Sequence, residues 1–318
     1  ITVGGAIAAD IHGKNHHRDG TFSNHLLWLE LMLHDGTIAR CSEAENTELF
    51  RLTCGGMGLT GIILSASFRL KKIETDKMRC EKIRAANLDE VMKLFEDSSP
   101  WTYSVAWIDC LSKGKSKGRS IMMRGEHATS DEAGKKISPL KRKRNFSIPF
   151  FFPEFALNSF TVKTFNELYY RSSSKKVQHY ISSFDSFFYP LDFILNWNKI
   201  YGRRGFTQYQ FVLPLNSSYE GLNKILDRIS GSGMGSFLAV LKLFGDENKN
   251  ILSFPMKGYT LALDFPITQK LFPLLDDLDN IVADLGGRIY LAKDMRLTQA
   301  LMKQMYPRYE IFAEGVRK

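Results

Sequence analysis

The sequence has few cysteines and no long apolar run. Its four cysteines, at positions 41, 54, 80 and 110, form no Cys-x-x-Cys pair, which argues against a zinc site or a disulfide framework and is typical of reduced, mostly buried thiols. No stretch reaches the roughly 18 apolar residues that a membrane-spanning helix needs. The longest apolar segment, residues 146–160, is interrupted by Pro149 and Pro153. With 44% hydrophobic and 24% charged residues over 318 positions, the composition is that of a globular chain of two domains.

The net charge of +9 invites a nucleic-acid-binding hypothesis, but its distribution argues against one. The basic residues concentrate in segments 113–119 and 135–144, which are polar and match no nucleic-acid-binding fold. Such runs are usually solvated loops. The alternative is attraction to anionic lipid headgroups, because the basic residues at 141–144 are followed closely by Phe146, Phe150, Phe151 and Phe152, an order suited to a membrane interface.

The most informative segment is residues 2–17. Its small residues, Gly4, Gly5, Ala6, Ala8 and Ala9, predict exposed backbone N–H groups, as a phosphate cradle or a flavin edge requires. A tight packing turn is the bland alternative. Three histidines follow within six positions, at 12, 16 and 17.

The pattern of elements predicts an α+β fold. A hairpin is expected from 25–33 and 37–41 around Asp35-Gly36, then a helix over 45–52 capped by Ser42, and a strand from residue 62. Strands over 104–108, 120–124, 206–213, 237–244 and 260–265 alternate with helices over 88–95 and 219–230. Residues 56–61 match Gly-x-Gly-x-x-Gly, but a helix precedes them and a strand follows. This is the reverse of a dinucleotide-binding Rossmann turn, which we therefore reject.

Several motifs in order carry a resemblance to a known family. They are residues 10–17 (Asp-Ile-His-Gly-Lys-Asn-His-His), 55–63, 209–211, 242–245, 264–266, 286–290 and 292–294. Together they resemble the vanillyl-alcohol-oxidase-type flavoproteins, and within these the enzymes that oxidise a polyprenyl-phosphoryl ribose. The motifs cover nearly the whole chain, which makes the signal specific.

The resemblance implies a partial FAD-binding domain of the PCMH type and a substrate domain whose antiparallel sheet is covered by helices. We predict that residues 1–74 belong to the FAD-binding domain, 75–286 form the substrate domain, and 287–318 return to the FAD-binding domain. Because Ile1 lies inside a motif, we expect a preceding segment, which in the family grips the FAD pyrophosphate, and weak FAD retention without it.

The resemblance also implies a non-covalent FAD and the residues that contact it. These predicted cofactor contacts are Thr2, Val3, Gly4, Gly5, Ala9, Asp10, Ile11, His12, Ile63 and Tyr290. No metal site is expected.

The predicted catalytic residues are Lys293, His12 and Gln210. The lysine matches an active-site lysine of the family; its ammonium would stabilise developing negative charge or, with a pKa lowered by burial, its amine would act as a base. Strand alternation puts Gln208 and Gln210 on one face.

The predicted substrate contacts are Tyr189, Gln208, Gln210, Lys242, Ala262 and Lys293. The chain departs from the family pattern at Ala262, where mycobacterial relatives carry a cysteine, so no thiol chemistry is expected there. Tyr169-Tyr170-Arg171 stands where Trp-Tyr-Arg would be closer to the pattern. Both changes fall in the predicted substrate domain, so the same substrate is less strongly implied than flavin chemistry.

The implied activity is FAD-dependent oxidation of the 2′-hydroxyl of a polyprenyl-phosphoryl-β-D-ribose to a 2′-keto intermediate. A partner short-chain reductase would complete the epimerisation to the arabinose form, which feeds arabinan and cell wall biosynthesis. Peripheral contact with the inner membrane, on its cytoplasmic face or in the periplasm, is expected, and nucleic acid is not. Two alternatives stay open: a sugar or alditol oxidase using oxygen, and a non-catalytic lipid- or polyanion-binding module.

Overall fold

A computed structural model describes residues 1–134, 146–153, 156–173, 176–294 and 296–317. The basic run at 135–144 lies outside the described residues. None of the helices in these ranges is both long enough and apolar enough to cross a bilayer. The four cysteines are free and buried, as the sequence predicts.

Two antiparallel sheets and one short parallel pair contain the strands. The strands are β1 Leu26–Met32, β2 Ile38–Cys41, β3 Ile62–Phe68, β4 Lys77–Ala85, β5 Tyr103–Ile108, β6 Ser120–His127, β7 Phe146–Ser147, β8 Val177–Ser183, β9 Ile194–Leu195, β10 Phe206–Pro214, β11 Ala239–Phe244, β12 Gly258–Pro266 and β13 Arg288–Ile289. The larger sheet has eight strands in the order β13-β10-β12-β11-β5-β6-β4-β8, and the smaller has three in the order β2-β1-β3. Strands β7 and β9 form the parallel pair.

Helices cover one face of the eight-stranded sheet. The helices are α1 Val3–Ala8, α2 His16–Asp19, α3 Thr47–Thr53, α4 Leu88–Asp97, α5 Ser130–Ala133, α6 Ser159–Ser172, α7 Phe184–Phe188, α8 Leu215–Ser232, α9 Leu271–Asp284, α10 Gln299–Met305 and α11 Tyr309–Arg317. Side chains from α4, α8 and α9 share one core with Phe211 and Leu261 of the sheet. The predicted α+β class, with a helix-covered antiparallel sheet, is confirmed.

The period of two along each strand separates the faces of this sheet. Phe211 pairs with Leu261 and lies in the helix-covered core, whereas the neighbouring pair Gln210 and Ala262 lies on the opposite face. Lys242 pairs with Thr260 on that same opposite face. We call this second side the open face of the sheet, and it carries the polar residues that concern function.

The small sheet confirms the predicted hairpin, since β1 and β2 pair from Leu29 to Cys41. Its core joins Leu29 and Leu31 to Ile7 of α1 and Phe50 of α3. Helix α3 begins at residue 47 rather than 45, so the predicted start is wrong.

The late start of α3 has a local cause. Asn46 adopts a left-handed φ of 47°, and the hydroxyl of Ser42 accepts the amides of Ala44 and Glu45 in a turn that precedes the helix. Ser42 therefore caps that turn and not α3.

The segment of small residues, whose backbone N–H groups we expected to be exposed, forms the helix α1. Thr2 caps it by accepting the Gly5 amide, and the Ala6 amide bonds the Thr2 carbonyl. These amides are therefore engaged within the helix, and the prediction of a fully exposed N–H cradle is wrong. Burial of Ile7 in the small core accounts for a helix in a glycine-rich sequence.

The glycine loop after α3 leads into β3, so the order helix–loop–strand is confirmed and a Rossmann turn is excluded. Its amides tie it to α1: Gly55 N–H donates to Ile7 O and Met57 N–H to Ala8 O. At Gly61, with φ of 148°, a Cβ would stand 2.4 Å from Met32 O, so only glycine fits.

The predicted domain boundaries stay a prediction. The small sheet lies within residues 1–74, and the first strand of the proposed return segment, β13, pairs with β10 inside the large sheet.

Candidate flavin and substrate site

A buried carboxylate fixes the segment that carries His12. Asp10 is fully buried, and its side chain accepts hydrogen bonds from Ser23 N–H, Asn248, Asn250 and Ser253 at 2.6–3.1 Å. The four donors come from two distant segments, so Asp10 clamps the His12 loop to the chain between β11 and β12. Asp10 was predicted to contact FAD; the observed contacts give its carboxylate a positioning role.

His12 lies over the open face of the sheet. Its Nε2 lies 3.2 Å from Gln210 Nε2, and its Nδ1 lies 3.2 Å from Lys242 Nζ. Phe244, with ring centroids 4.6 Å away, and Tyr290, at 5.2 Å, enclose the imidazole. Burial, and then the nearby Lys242, lower the pKa of His12 well below its usual value, so the ring is neutral.

A neutral imidazole has one N–H and one acceptor nitrogen. The Gln210 amide donates to Thr260 Oγ1 at 3.0 Å and faces Nε2 of His12, which makes Nε2 the acceptor. The His12 proton then sits on Nδ1 and points to Lys242 Nζ, which can accept it only as a neutral amine. Burial, with Lys293 and Lys14 nearby, lowers the pKa of Lys242 to about 7, in agreement with this arrangement.

Lys293 lies in the turn that follows β13. The turn is attached to β10 through Tyr290 N–H, which donates to Gln210 O at 2.9 Å, and Lys293 N–H donates to Tyr290 O. Lys293 Nζ is 5.8 Å from the centre of the Tyr290 ring. Burial lowers the pKa of Lys293 to about 8, and the charge of Asp264 partly opposes that shift.

Asp264 is a site residue that the sequence analysis missed as a functional group. It pairs across the strands with Gln208, whose amide donates to Asp264 Oδ1 at 2.7 Å. The other oxygen, Oδ2, is buried and has no hydrogen-bond partner among the described residues. Burial raises the pKa of the Asp264 carboxyl to about 6, so this carboxyl is ionised at neutral pH. The sequence did contain a signal for this role. Asp264 is two residues from Ala262 in a strand whose side chains alternate between the two faces, so both side chains lie on the open face.

Lys14 was also missed, although it stands inside the His-Gly-Lys motif. Its Nζ donates to the Phe187 carbonyl and lies 4.6 Å from the centre of the Phe187 ring. Burial lowers its pKa to about 8, and its charge contributes to the lowered pKa of Lys242. Lys14, Lys242 and Lys293 therefore form a half-buried group of lysines beside one ionised carboxylate, Asp264, and Lys242 is the member that is neutral before a ligand binds.

The structure brings most predicted site residues together. His12, Gln210, Lys242, Lys293 and Tyr290 are linked by the contacts above, and Gln208 and Ala262 share the open face. Tyr290 O–H donates to Ala9 O at 3.4 Å, which joins the return segment to the end of α1. Among the other predicted cofactor contacts, Thr2 caps the start of α1, Val3, Gly4 and Gly5 form its first turn, and Ile11 follows three residues after its end.

Two predicted residues lie apart from this group. Ile63 packs in the core of the small sheet. Tyr189 is about half exposed, at 49%, and its ring contacts Phe184 and Phe188 rather than the His12 group. The centre of the Phe188 ring in turn lies 5.6 Å from Lys14 Nζ, and this contact links Tyr189 to the lysines of the site. The roles predicted for both residues stay predictions.

The site suits an anionic, planar and hydrogen-bonding ligand. Gln210 Oε1 and Asp264 Oδ2 are buried acceptors without partners in the described chain. Lys14 and Lys293 supply positive charge, to which Lys242 adds when an anion favours its protonated form. A Cβ added at Gly4 would meet nothing within 4 Å, so space is open beside α1. Flavin phosphates or a reduced flavin carry the complementary negative charge. In the described ranges, no three His, Cys, Asp or Glu side chains gather as metal ligands would.

Comparison with known proteins agrees with this chemistry. A family described as "FAD binding domain" matches residues 1–42. The decaprenylphosphoryl-β-D-ribose oxidase of Mycolicibacterium smegmatis is 40% identical over 317 residues, covering 98% of this chain and 68% of that protein. An uncharacterised Streptomyces coelicolor protein encoded in the mprA 5′ region is 31% identical over 99% of this chain and 88% of its own length. Cytokinin dehydrogenase 5 of Arabidopsis thaliana matches 22% of the chain at 42% identity.

The fold and the site thus define an FAD-dependent oxidoreductase with a PCMH-type FAD-binding domain. This sets aside the non-catalytic binding module. Within that class, the chain belongs to the decaprenylphosphoryl-β-D-ribose oxidase family.

Proposed function

We propose that this protein oxidises the 2′-hydroxyl of a polyprenyl-phosphoryl-β-D-ribose to the 2′-ketone. The observation that carries the proposal is the group of half-buried lysines on the open face: Lys14 and Lys293 carry positive charge, and Lys242, 3.2 Å from His12, becomes charged when an anion such as a substrate phosphodiester binds. The named M. smegmatis relative supports the same substrate class.

FAD supplies a hydride acceptor when it is bound, and the residues of this chain do the rest. We assign FAD binding to α1, His12 and Tyr290, with no covalent bond from His12, whose two ring nitrogens face Gln210 and Lys242. Gln208 and Gln210 orient the sugar by hydrogen bonds. The aromatic rings around His12 exclude water from that side.

The lowered pKa of Lys293 favours the second of its two predicted roles. With a pKa of about 8, a substantial fraction of Lys293 is neutral in mildly alkaline solution, so its Nζ is able to accept the proton of the 2′-hydroxyl. The ammonium that forms is stabilised by Asp264. Lys242, protonated when an anion binds, holds the substrate phosphate.

The test compares substrates on the flavin-loaded enzyme. Under anaerobic conditions, a short-chain polyprenyl-phosphoryl ribose should bleach the flavin, and borodeuteride should label the product at C2′. Equal or faster bleaching by free alditols would instead support the soluble sugar oxidase.

A 2′-ketone must be reduced to give the arabinose epimer, so we propose a short-chain reductase as the partner. We also propose that the protein works at the surface of the inner membrane, where a polyprenyl substrate resides. Adding a nicotinamide-dependent reductase of that class should convert the trapped ketone to arabinoside, and a ketone that persists would count against this partnership.

A further inference from the structure

The exposed apolar residues are unevenly distributed. Among the described residues, half of the exposed large hydrophobic side chains lie between positions 146 and 195, about one sixth of the chain. Phe160 is 77% exposed, Leu168 67% and Phe150 61%. Single exposed apolar residues are ordinary, but a concentration of this kind marks an interaction surface.

Two of the segments involved are held side by side. Strands β7 and β9 pair Phe146 with Ile194, and Phe152 N–H donates to Lys199 O at 2.9 Å. Lys199 Nζ lies 5.9 Å from the centre of the Phe151 ring, so its charge stands beside the exposed phenylalanines. We call residues 146–152 and 191–201 the apolar lobe. It also contains an exposed carboxylate, Asp192.

Helix α6 continues the surface. Phe237 joins the two parts, because its ring lies 5.5 Å from Tyr201 of the lobe and 5.6 Å from Phe165 of α6. Phe160 and Leu168, two turns apart on α6, line an open groove of about 580 Å³ whose other wall is the loop at 111–116.

Cations surround that groove. Lys113, Lys115 and Lys163 are exposed, and none of them forms an ion pair with a described carboxylate. The two carboxylates that line the groove, Asp109 and Glu167, are both paired with Arg119, at 2.8 and 2.6 Å. The groove therefore combines apolar walls with uncompensated positive charge.

This surface borders the site. Trp107 on β5 donates its indole N–H to Phe237 O. In the sheet, Trp107 pairs with Val240 of β11, and Val240 pairs with Ala262 of β12. Gln210 is three strands from Trp107, or about 14 Å at the usual strand spacing. A headgroup at the site thus lies near a surface able to contact the lipid that carries it.

We propose that the apolar lobe, the outer side of α6 and Lys113, Lys115, Lys163 and Lys199 dock the protein on an anionic phospholipid bilayer. Aromatic side chains flanked by lysines suit the interfacial region of a bilayer, where rings enter the headgroup layer and ammonium groups meet lipid phosphates. The proposal deepens the proposed function, on which it rests only for the lipid-linked substrate.

The experiment is flotation of the purified protein with vesicles of phosphatidylcholine, with and without 30% phosphatidylglycerol. We expect binding to the anionic vesicles that weakens in 0.5 M salt. Lys113→Gln/Lys115→Gln/Lys163→Gln should reduce the partition coefficient by roughly fivefold per charge. Phe160→Gln/Leu168→Gln should reduce it at least tenfold. The basic run at 135–144 is unchanged in both variants.

Matched controls are Lys72→Gln/Lys93→Gln/Lys249→Gln and Leu215→Gln/Ile311→Gln, which change exposed lysines and exposed apolar residues elsewhere. Binding that the patch variants retain at the parent level would overturn the proposal. A shift of the parent to dimers that the apolar variant abolishes, without vesicle binding, would assign the surface to a second copy. Flavin reduction by a detergent-free short-chain substrate should be unchanged in all variants, so its absence in the parent would count against the proposed function and not against docking.

Discussion

Lys242 Nζ lies 3.2 Å from Nδ1 of His12, and the hydrogen-bond chain through Gln210 and Thr260 favours the tautomer in which the lysine accepts the imidazole proton. The pKa of Lys242, lowered to about 7, permits a neutral amine at that position. An anion bound beside Lys242 would favour its charged form and raise that pKa. Binding and protonation are therefore coupled.

We expect the holoenzyme to take up protons when it binds an anionic substrate analogue between pH 7.5 and 8. Titration calorimetry in buffers of different ionisation enthalpy measures the uptake. Because Lys242 is mostly neutral there before binding and charged after it, Lys242→Met should lower the uptake by up to one proton. Uptake that is the same in the variant would show that Lys242 is already charged.

Lys293→Ala should slow flavin reduction by roughly 10² to 10³, the scale of losing one positioned group at the reacting centre. Flavin content should change little, because Lys293 lies outside the segments assigned to cofactor binding. Lys293→Arg should not restore the rate, since a guanidinium stays protonated and has a different geometry. The measurement is the anaerobic reduction rate normalised to bound flavin. A rate within a few-fold of the parent would end the case for Lys293 as a catalytic residue.

Local pattern predicted part of this architecture. The hairpin around Asp35-Gly36 follows from its turn residues, and Gln208 and Gln210 share a face because strands alternate. Helix α1 was not predicted, because its two adjacent glycines disfavour a helix and its formation depends on burying Ile7 against the small sheet.

The site needed the strand order, which local pattern does not contain. Lys242 reaches His12 because its strand, β11, lies between β12 and β5. Of these two strands, only β12 is a neighbour of β11 in sequence, so the position of β5 beside it could not be read from local pattern. Asp264 gains its role from Lys293, a residue that approaches only when β13 pairs with β10. The family resemblance named Lys293 and Lys242, whereas their lowered pKa values follow from burial in the folded chain.

Asp10→Asn should destabilise the protein by about 2–4 kcal/mol. The buried hydrogen bonds to the carboxylate are weakened or lost, and the new NH2 group of Asn would face the N–H and O–H donors that now bond to Asp10. Urea unfolding followed by tryptophan fluorescence measures the change. Asp35→Asn is the matched control, since that carboxylate is exposed and accepts only from Thr37 in the described contacts. Unchanged stability with loss of flavin would instead make Asp10 a direct cofactor contact, as the sequence predicts.

Asp264→Asn should move the pH dependence of kcat/KM. The charge of Asp264 raises the pKa of Lys293, so removing it lowers that pKa below about 8. If neutral Lys293 is the base, activity rises as pH passes its pKa, and the rising limb should shift to lower pH in the variant. Below about pH 6, where Asp264 itself becomes protonated, the parent loses the charge that the variant lacks, so the two profiles should converge there. Profiles are measured by stopped flow, with Asp277→Asn on the surface of α9 as the control. A limb that stays in place while the maximum rate falls would give Asp264 a structural role and remove Lys293 from the assignment as base.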